Sequence, residues 1–168
     1  MYLKKEIIKT ALQDYTNTLL KYSYINKTLK FKKIRNNNFP EFISEHLVLY
    51  HLRNKFNLDV DWDIKKGDLV LNKTDKLEVK CVASKGPMSF GPSQDWVNLY
   101  ILDITNQLNC IIYKIDSKES FFNVKVNKNE TIRQQSEQKR RPRITLKTFL
   151  EHCKHEIIFK GNIQDILV

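Results

Sequence analysis

The spacing of apolar residues changes partway along the chain, and this change most strongly limits what the chain can fold into. In residues 2–22, and again from Glu41 to about Phe56, apolar residues recur at helical spacing, which predicts two helices. From Asp68 onward, short apolar runs alternate with polar residues between clusters of Gly, Pro and Asn, which is typical of strands. This order of elements predicts an α+β fold with a central mixed β-sheet of four to five strands flanked by helices.

A β-hairpin is predicted in the middle of the chain. Residues 68–71 form a short apolar strand, residues 72–76 are polar and suit a turn, and residues 77–83 begin with an alternating strand pattern. The Gly- and Pro-rich stretch 84–95 that follows predicts a long loop. The other predicted elements are a polar loop at 26–38, strands at 96–104 and 109–115, a helical pattern with Leu146, Phe149 and Leu150, and a strand-like segment at 156–160.

Length and charge restrict the organisation of the chain and its partners. A chain of 168 residues fits one domain, and we predict a single domain over 1–168. The 29 Lys and Arg residues against 19 Asp and Glu residues give a formal net charge of +10, which favours a polyanionic partner. Nucleic acid is the commonest such partner, and an anionic membrane surface is the rival interpretation.

Several classes of function lose support from what the sequence lacks. The three cysteines form no C-x-x-C pair, which argues against a disulfide framework and against a zinc knuckle. Neither glycine-rich phosphate-binding motif is present, so we expect no nucleotide cofactor. No apolar run approaches the roughly 18 residues of a membrane span, and no signal peptide is recognisable, so we expect a cytoplasmic protein without a membrane partner.

Asp68, Glu78 and Lys80 are the residues best suited to carry chemistry. Strand alternation puts Glu78 and Lys80 on the same face of the second hairpin strand, and hairpin pairing brings Asp68 close to them. Two carboxylates are what Mg²⁺ commonly takes from a protein, besides water and a substrate phosphate. The ion lowers the pKa of bound water and shields phosphate charge, while a nearby lysine can orient or deprotonate the attacking water. This combination suits phosphodiester hydrolysis.

The motif itself, an acidic residue two positions before a lysine, occurs four times in this lysine-rich chain and is weak evidence alone. The occurrence at Glu78 and Lys80 differs from the others in three respects. It lies within an apolar strand, it follows an acid at the start of the preceding strand, and it precedes the Gly- and Pro-rich stretch. The alternative is a solvent-facing hairpin on which Glu78 and Lys80 are simply polar-side residues.

These residues resemble the PD-(D/E)XK nuclease superfamily and, more narrowly, the type II restriction endonucleases. Asp68 matches the first acid of the superfamily, Glu78 the second, and Lys80 the lysine, whereas Gly67 stands where the superfamily nominally has a proline. The resemblance implies a restriction-endonuclease-like α/β/α sandwich, with a catalytic core at about 41–115.

The resemblance also implies roles for individual residues. Asp68, Glu78 and Val79 would form the metal site for Mg²⁺, and Lys80 would position the nucleophilic water. The superfamily often carries a further acid on the helix before the first strand, and Glu45 fits that place as a fourth catalytic residue. Glu45 can also be read as an ordinary solvated helix residue.

Two segments are candidates for DNA contact. The stretch after the catalytic strand can approach phosphate or bases, and a basic segment at about 125–145 carries the Arg and Gln side chains that read base edges in the major groove. Both have a simpler interpretation: the first segment can be an ordinary connection, and the basic segment can be a solvated charged surface. The candidate DNA-binding residues are Ser84, Lys85, Ser89, Gln138, Lys139, Arg140, Arg141 and Arg143.

The function implied by the resemblance is hydrolysis of double-stranded DNA at a short palindromic sequence. A homodimer is expected, because a two-fold symmetric site mirrors two-fold protein symmetry. Two alternatives stay open at this point. One is a Holliday-junction resolvase or DNA-repair nuclease of the same superfamily, and the other is a basic DNA-binding module without catalysis.

Overall fold

The structure is a computed structural model that describes residues 3–28, 39–63, 68–106 and 109–168. Most of the predicted polar loop at 26–38, together with Gly67, lies outside these residues. Residues 26–28 do not belong to a loop, because the first helix, α1, runs over Lys5–Thr28 and extends past the predicted end at residue 22.

The second helix, α2, spans Glu41–Phe56 as predicted and is buried over nearly its whole middle, from Ile43 to Leu52. It ends at Asn57, which adopts a left-handed conformation with φ of 50° and donates its amide to the last turn. Because polar groups on such a helix lose water, they need protein partners. His51 contacts the carbonyl oxygen of Ile158, for example, at 3.0 Å.

Six strands form the central sheet, one or two more than predicted, in the order β1-β2-β3-β5-β6-β8. Only β3 and β5 pair in parallel, and the other neighbours are antiparallel, so the sheet is mixed as expected. The strands of this sheet are β1 Val60–Trp62, β2 Leu69–Leu71, β3 Asp75–Val82, β5 Asn98–Asn106, β6 Asn109–Ile115 and β8 Glu156–Asn162.

A second, two-stranded sheet is formed by β4, Pro87–Ser89, and β7, Arg143–Thr145. The prediction of one uninterrupted loop over 84–95 is therefore wrong at β4. Its partner is more than 50 residues away along the chain, so the pairing leaves no local pattern in a stretch rich in turn residues. Three short helices and a 3₁₀ turn complete the fold: α3 Lys118–Phe122, α4 Ile132–Glu137, α5 Leu146–His152, and the turn Ile163–Leu167.

The alternation of β3 divides its side chains between two cores. Leu77 and Val79 pack with α1 and α2 in the first core. Val82 points to the opposite face and joins a second core, in which Trp96, Phe121 and other aromatic residues contact one another. Glu78 and Lys80 share the face of Val82 because they have the same parity in the strand. The fold thus presents these two side chains on the side of the sheet that also carries β4 and β7.

Among the residues described, no helix is long and apolar enough to cross a membrane.

Candidate active site

Asp68 and Glu78 meet at the junction of β2 and β3. The antiparallel register pairs Leu69 with Leu77, so the residue preceding Leu69 lies beside the residue following Leu77. The two side chains share a hydrogen bond. Two carboxyl groups can do this only when one is protonated, because ionised carboxylates are acceptors alone. The predicted hairpin therefore brings the two acids into contact.

The pKa values of these two carboxyl groups move in opposite directions. Burial raises the pKa of Asp68 to about 8, and the hydrogen bond and negative charge of Glu78 act in the same sense. Burial also acts to raise the pKa of Glu78, but the hydrogen bond from Asp68 and the positive charge of Lys80 outweigh it, so this pKa lies below its usual value. The proton between the two acids is thus bound to Asp68, whose hydroxyl group donates a hydrogen bond to the Glu78 carboxylate.

Lys80 completes the group through an ion pair between its ammonium and the Glu78 carboxylate. Both side chains are only partly exposed, at 30% for Lys80 and 25% for Glu78. Partial burial strengthens such an interaction relative to an exposed pair, since solvent screens it less. The cation thereby lies next to the two acids, where it can meet a negatively charged phosphate or a water molecule.

A pocket of about 260 Å³ adjoins the two acids. Its lining includes three residues that were not predicted from the sequence: Asp63, Lys76 and Asp95. Lys76 lies two residues before Glu78 on the same face of β3 and forms an ion pair with Asp95. Strand parity alone would have identified Lys76, whereas Asp95 reaches the pocket through the long connection before β5. The pocket is therefore bordered by both acidic and basic groups.

Glu45 is close to this cluster but has a different partner. It lies on α2, is 6% exposed, and accepts a 2.6 Å hydrogen bond from the indole Nε1 of Trp62. Burial raises its pKa, although the Trp62 bond opposes the shift, and weaker electrostatic effects come from Glu41, Lys80 and Glu78. Glu45 is thus a buried, hydrogen-bonded helix residue, and the interpretation of it as a solvated one is wrong.

The donor set suits a hard divalent cation. Asp68 and Glu78 offer carboxylate oxygens, and a cation between them would take the place of the shared proton. Val79 can offer only its main-chain carbonyl, because its side chain is a hydrocarbon without ligand atoms and packs in the first core. Within residues 3–28, 39–63, 68–106 and 109–168, no group of three or more His, Cys, Asp or Glu side chains is arranged to hold a metal. A bound Mg²⁺ would therefore complete its shell with water and substrate phosphate.

The candidate DNA-binding residues are all exposed, but the structure separates them by their contacts. Ser89 and Arg143, predicted in separate segments, are direct partners across the β4–β7 pair. Arg140 is held by the protein itself, through the carboxylate of Glu130 at 2.7 Å and the side-chain oxygen of Gln138 at 2.9 Å. The guanidinium of Arg140 is thus already paired with residues on either side of α4.

A mixed sheet flanked by helices, with an Asp, Glu and Lys cluster on one strand pair, is compatible with the restriction-endonuclease-like class. A sequence profile of the Bsp6I restriction endonuclease family matches residues 5–152, which include every candidate site residue. The chain therefore belongs to the Bsp6I restriction endonuclease family.

An individual relative supports the same assignment. The chain is 27% identical over 151 residues to the type II restriction enzyme Bsp6I of Bacillus sp. (strain RFL6), and the match covers 86% of this chain and 83% of the relative. No solved structure matches the chain significantly. The resemblance to type II restriction endonucleases is confirmed, and DNA is the substrate that this family membership implies.

Proposed function

We propose that this protein is a Mg²⁺-dependent type II restriction endonuclease that hydrolyses both strands of duplex DNA at a short specific sequence. The observation that carries the proposal is the contact of Asp68, Glu78 and Lys80 beside a pocket on one face of the sheet. Family membership supports the restriction endonuclease class, and the cluster supports the chemistry by which it would act.

Each residue of the cluster has a role in this proposal. Asp68 and Glu78 would hold Mg²⁺, with the main-chain carbonyl of Val79 as a further oxygen ligand. When bound, the ion supplies charge neutralisation at the phosphate and a more acidic water molecule. Lys80, fixed by its ion pair with Glu78, orients the attacking water toward phosphorus and offsets the charge that develops on the phosphate oxygens.

In this proposal Glu45 acts as a positioning residue, through the electrostatic attraction between its carboxylate and the ammonium of Lys80. Glu45→Gln should lower the cleavage rate about tenfold, the scale seen when groups behind a metal site are changed. Its stability should stay close to that of the unsubstituted protein, because the amide oxygen still accepts the hydrogen bond from Trp62. Initial cleavage rates and chemical denaturation measure the two effects, and an unchanged rate in a stable variant would remove Glu45 from the site.

A homodimer follows from cleavage of both strands, because each chain offers one such cluster among its described residues and a symmetric sequence suits a two-fold assembly. Sedimentation of the protein with and without cognate duplex measures the assembly state. We expect a two-fold dimer on the duplex, and a monomer that cuts one strand at a time would contradict this part of the proposal.

Digestion of unmethylated plasmid and phage DNA tests the function as a whole. We expect discrete fragments in Mg²⁺ and none in EDTA, with fragment ends that share one short sequence. The same reactions include a four-way DNA junction and its component duplexes. Cleavage at the junction regardless of sequence would replace the proposal with a structure-specific nuclease, and binding without any cleavage would leave a DNA-binding module.

A further inference from the structure

The pairing of β4 with β7 builds one surface from two segments that are distant in sequence. Ser89 faces Arg143 in the register, and Pro87 faces Thr145. The ladder continues beyond Ser89, since the amide of Phe90 donates to the carbonyl of Pro142 at 3.0 Å. These segments form a short antiparallel ribbon, which we call the β4–β7 ribbon, and it comprises residues 87–89 and 143–145.

The two faces of the β4–β7 ribbon differ sharply. Met88 and Ile144, which are register partners, are buried in the second core. Their neighbours in both strands are exposed, in an alternating pattern that matches the strand period. The core fixes the inner face against the sheet, so the outer face presents Ser89 and Arg143 on a rigid support. The connection from the catalytic strand is short, because Ser89 follows Lys80 by nine residues.

The cations around the ribbon fall into two groups. Arg133 and Arg140 are paired with Glu119 and Glu130 through hydrogen-bonded ion pairs of 2.7 Å. Lys85, Lys139, Arg141 and Arg143 are exposed and form no ion pair with any described residue. The protein thus pairs Arg133 and Arg140 with its own acids and leaves Lys85, Lys139, Arg141 and Arg143 available to an anionic partner.

We propose that the outer face of the β4–β7 ribbon reads the DNA sequence, with Arg143 and Ser89 contacting base edges and Lys139 and Arg141 contacting phosphates. A two-stranded ribbon fits the major groove, where arginine can bond to both acceptors of guanine and serine can bond to either kind of group. Because Ser89 and Arg143 are register partners, they contact the same base pair or adjacent ones. This inference rests on the proposed function, since it names the recognition element of the same enzyme.

Selection from a randomised duplex library tests the inference without requiring cleavage. The selection uses protein carrying Asp68→Asn, in EDTA, so that bound DNA is recovered intact. In Arg143→Ala, the base preference at one position of each half-site should be about tenfold weaker, on the scale of one bidentate base contact. Arg143→Lys should weaken it as well, because lysine keeps the charge but not the planar fork.

Two further variants act as comparisons. Arg141→Ala removes the same charge two residues away and should select the same sequence, with weaker binding to every duplex and a salt slope reduced by about 1. Ser89→Ala changes one exposed hydroxyl and should alter the preference at the Arg143 position or the adjacent one. Thermal unfolding of each variant checks that the ribbon is intact, and Ser89→Ala still decides the matter if Arg143→Ala fails to fold.

The outcomes separate this inference from the function on which it rests. If the unsubstituted protein cuts at a specific sequence, but the Arg143 and Ser89 variants select that same sequence, the ribbon is not the reading element. If the Asp68→Asn protein selects no sequence at all, the inference is overturned as well. Failure of the unsubstituted protein to cut any DNA counts against the proposed function, while the selection still decides the role of the ribbon.

Discussion

Asp68→Asn should reduce DNA cleavage by roughly 10³-fold or more while leaving DNA binding intact, because the variant removes one of the two carboxylates that we propose as metal ligands. Without that charge, Mg²⁺ would bind more weakly and would neutralise less of the charge that develops on the phosphate. Single-turnover cleavage in Mg²⁺ and binding in EDTA measure the two properties separately. Asp116→Asn is the matched control, since it makes the same chemical change at an exposed residue and should cut at the normal rate.

The same variant should raise the stability of the metal-free protein. In the folded protein the pKa of Asp68 is raised to about 8 by burial and by Glu78, so the folded state binds more protons than the unfolded state between about pH 4 and pH 8. The stability of the unsubstituted protein should therefore fall as pH rises through this range. After allowance for solvent screening at the pocket, the free energy of unfolding should fall by about 1 kcal/mol over this range. The amide of Asp68→Asn does not titrate, so this variant should largely lose the pH dependence.

Denaturant unfolding at pH 5 and pH 8 in EDTA measures this difference. Adding Mg²⁺ should then stabilise the unsubstituted protein at pH 8 but have little effect on Asp68→Asn, because ligand binding stabilises only a state that binds it. Equal stabilisation of both proteins by Mg²⁺ would show that Asp68 is not a ligand. A stability that rises between pH 5 and pH 8 in the unsubstituted protein, but not in Asp68→Asn, would contradict the assigned charge state of the acid pair.

Lys80→Gln should lower the cleavage rate by about 10²- to 10⁴-fold, the usual contribution of a positioned group that orients or activates the nucleophile. Glutamine keeps much of the length of the side chain but loses the ammonium that pairs with Glu78. Single-turnover rates on a duplex with one mapped site measure the loss. Lys147→Gln, at a lysine whose side chain is 85% exposed, is the control and should cut normally.

A second readout distinguishes a role in chemistry from a role in binding. Lys80→Gln should bind the mapped duplex with nearly the affinity of the unsubstituted protein, since one contact among many supplies little of the total. A matching loss of affinity and rate would instead make Lys80 a DNA-binding residue. A rate within threefold of normal would remove Lys80 from the mechanism altogether.

The parts of the fold with strong local patterns could be predicted from the sequence. Residues 41–56 repeat at helical spacing, and 68–83 alternate around a polar turn, so both α2 and the β2–β3 hairpin were predicted correctly. The short strand β1 was missed because three residues carry too little periodicity to detect. The β4–β7 ribbon was missed because only contact between distant segments defines it.

The candidate site also has some features that could be predicted from the sequence and others that could not. The contact of Asp68 with Glu78, and the shared face of Glu78 and Lys80, follow from strand parity and hairpin pairing alone. The hydrogen bond from Trp62 to Glu45 could not be predicted, since it depends on how α2 packs beside a strand that the pattern did not reveal. The pairing of Arg140 with Glu130 was equally hidden, because a run of basic residues does not indicate which of them the protein neutralises.

The assignment of the active site is tested by comparing the cleavage of unmethylated DNA in Mg²⁺ by the unsubstituted protein, Asp68→Asn, Glu78→Gln and Lys80→Gln. The Asp116→Asn and Lys147→Gln proteins serve as controls in the same reactions. We expect discrete fragments from the unsubstituted protein and from both controls, and no fragments from the three site variants under the same conditions. Normal fragments from the three site variants, at the rate of the controls, would contradict the assignment of this cluster as the active site.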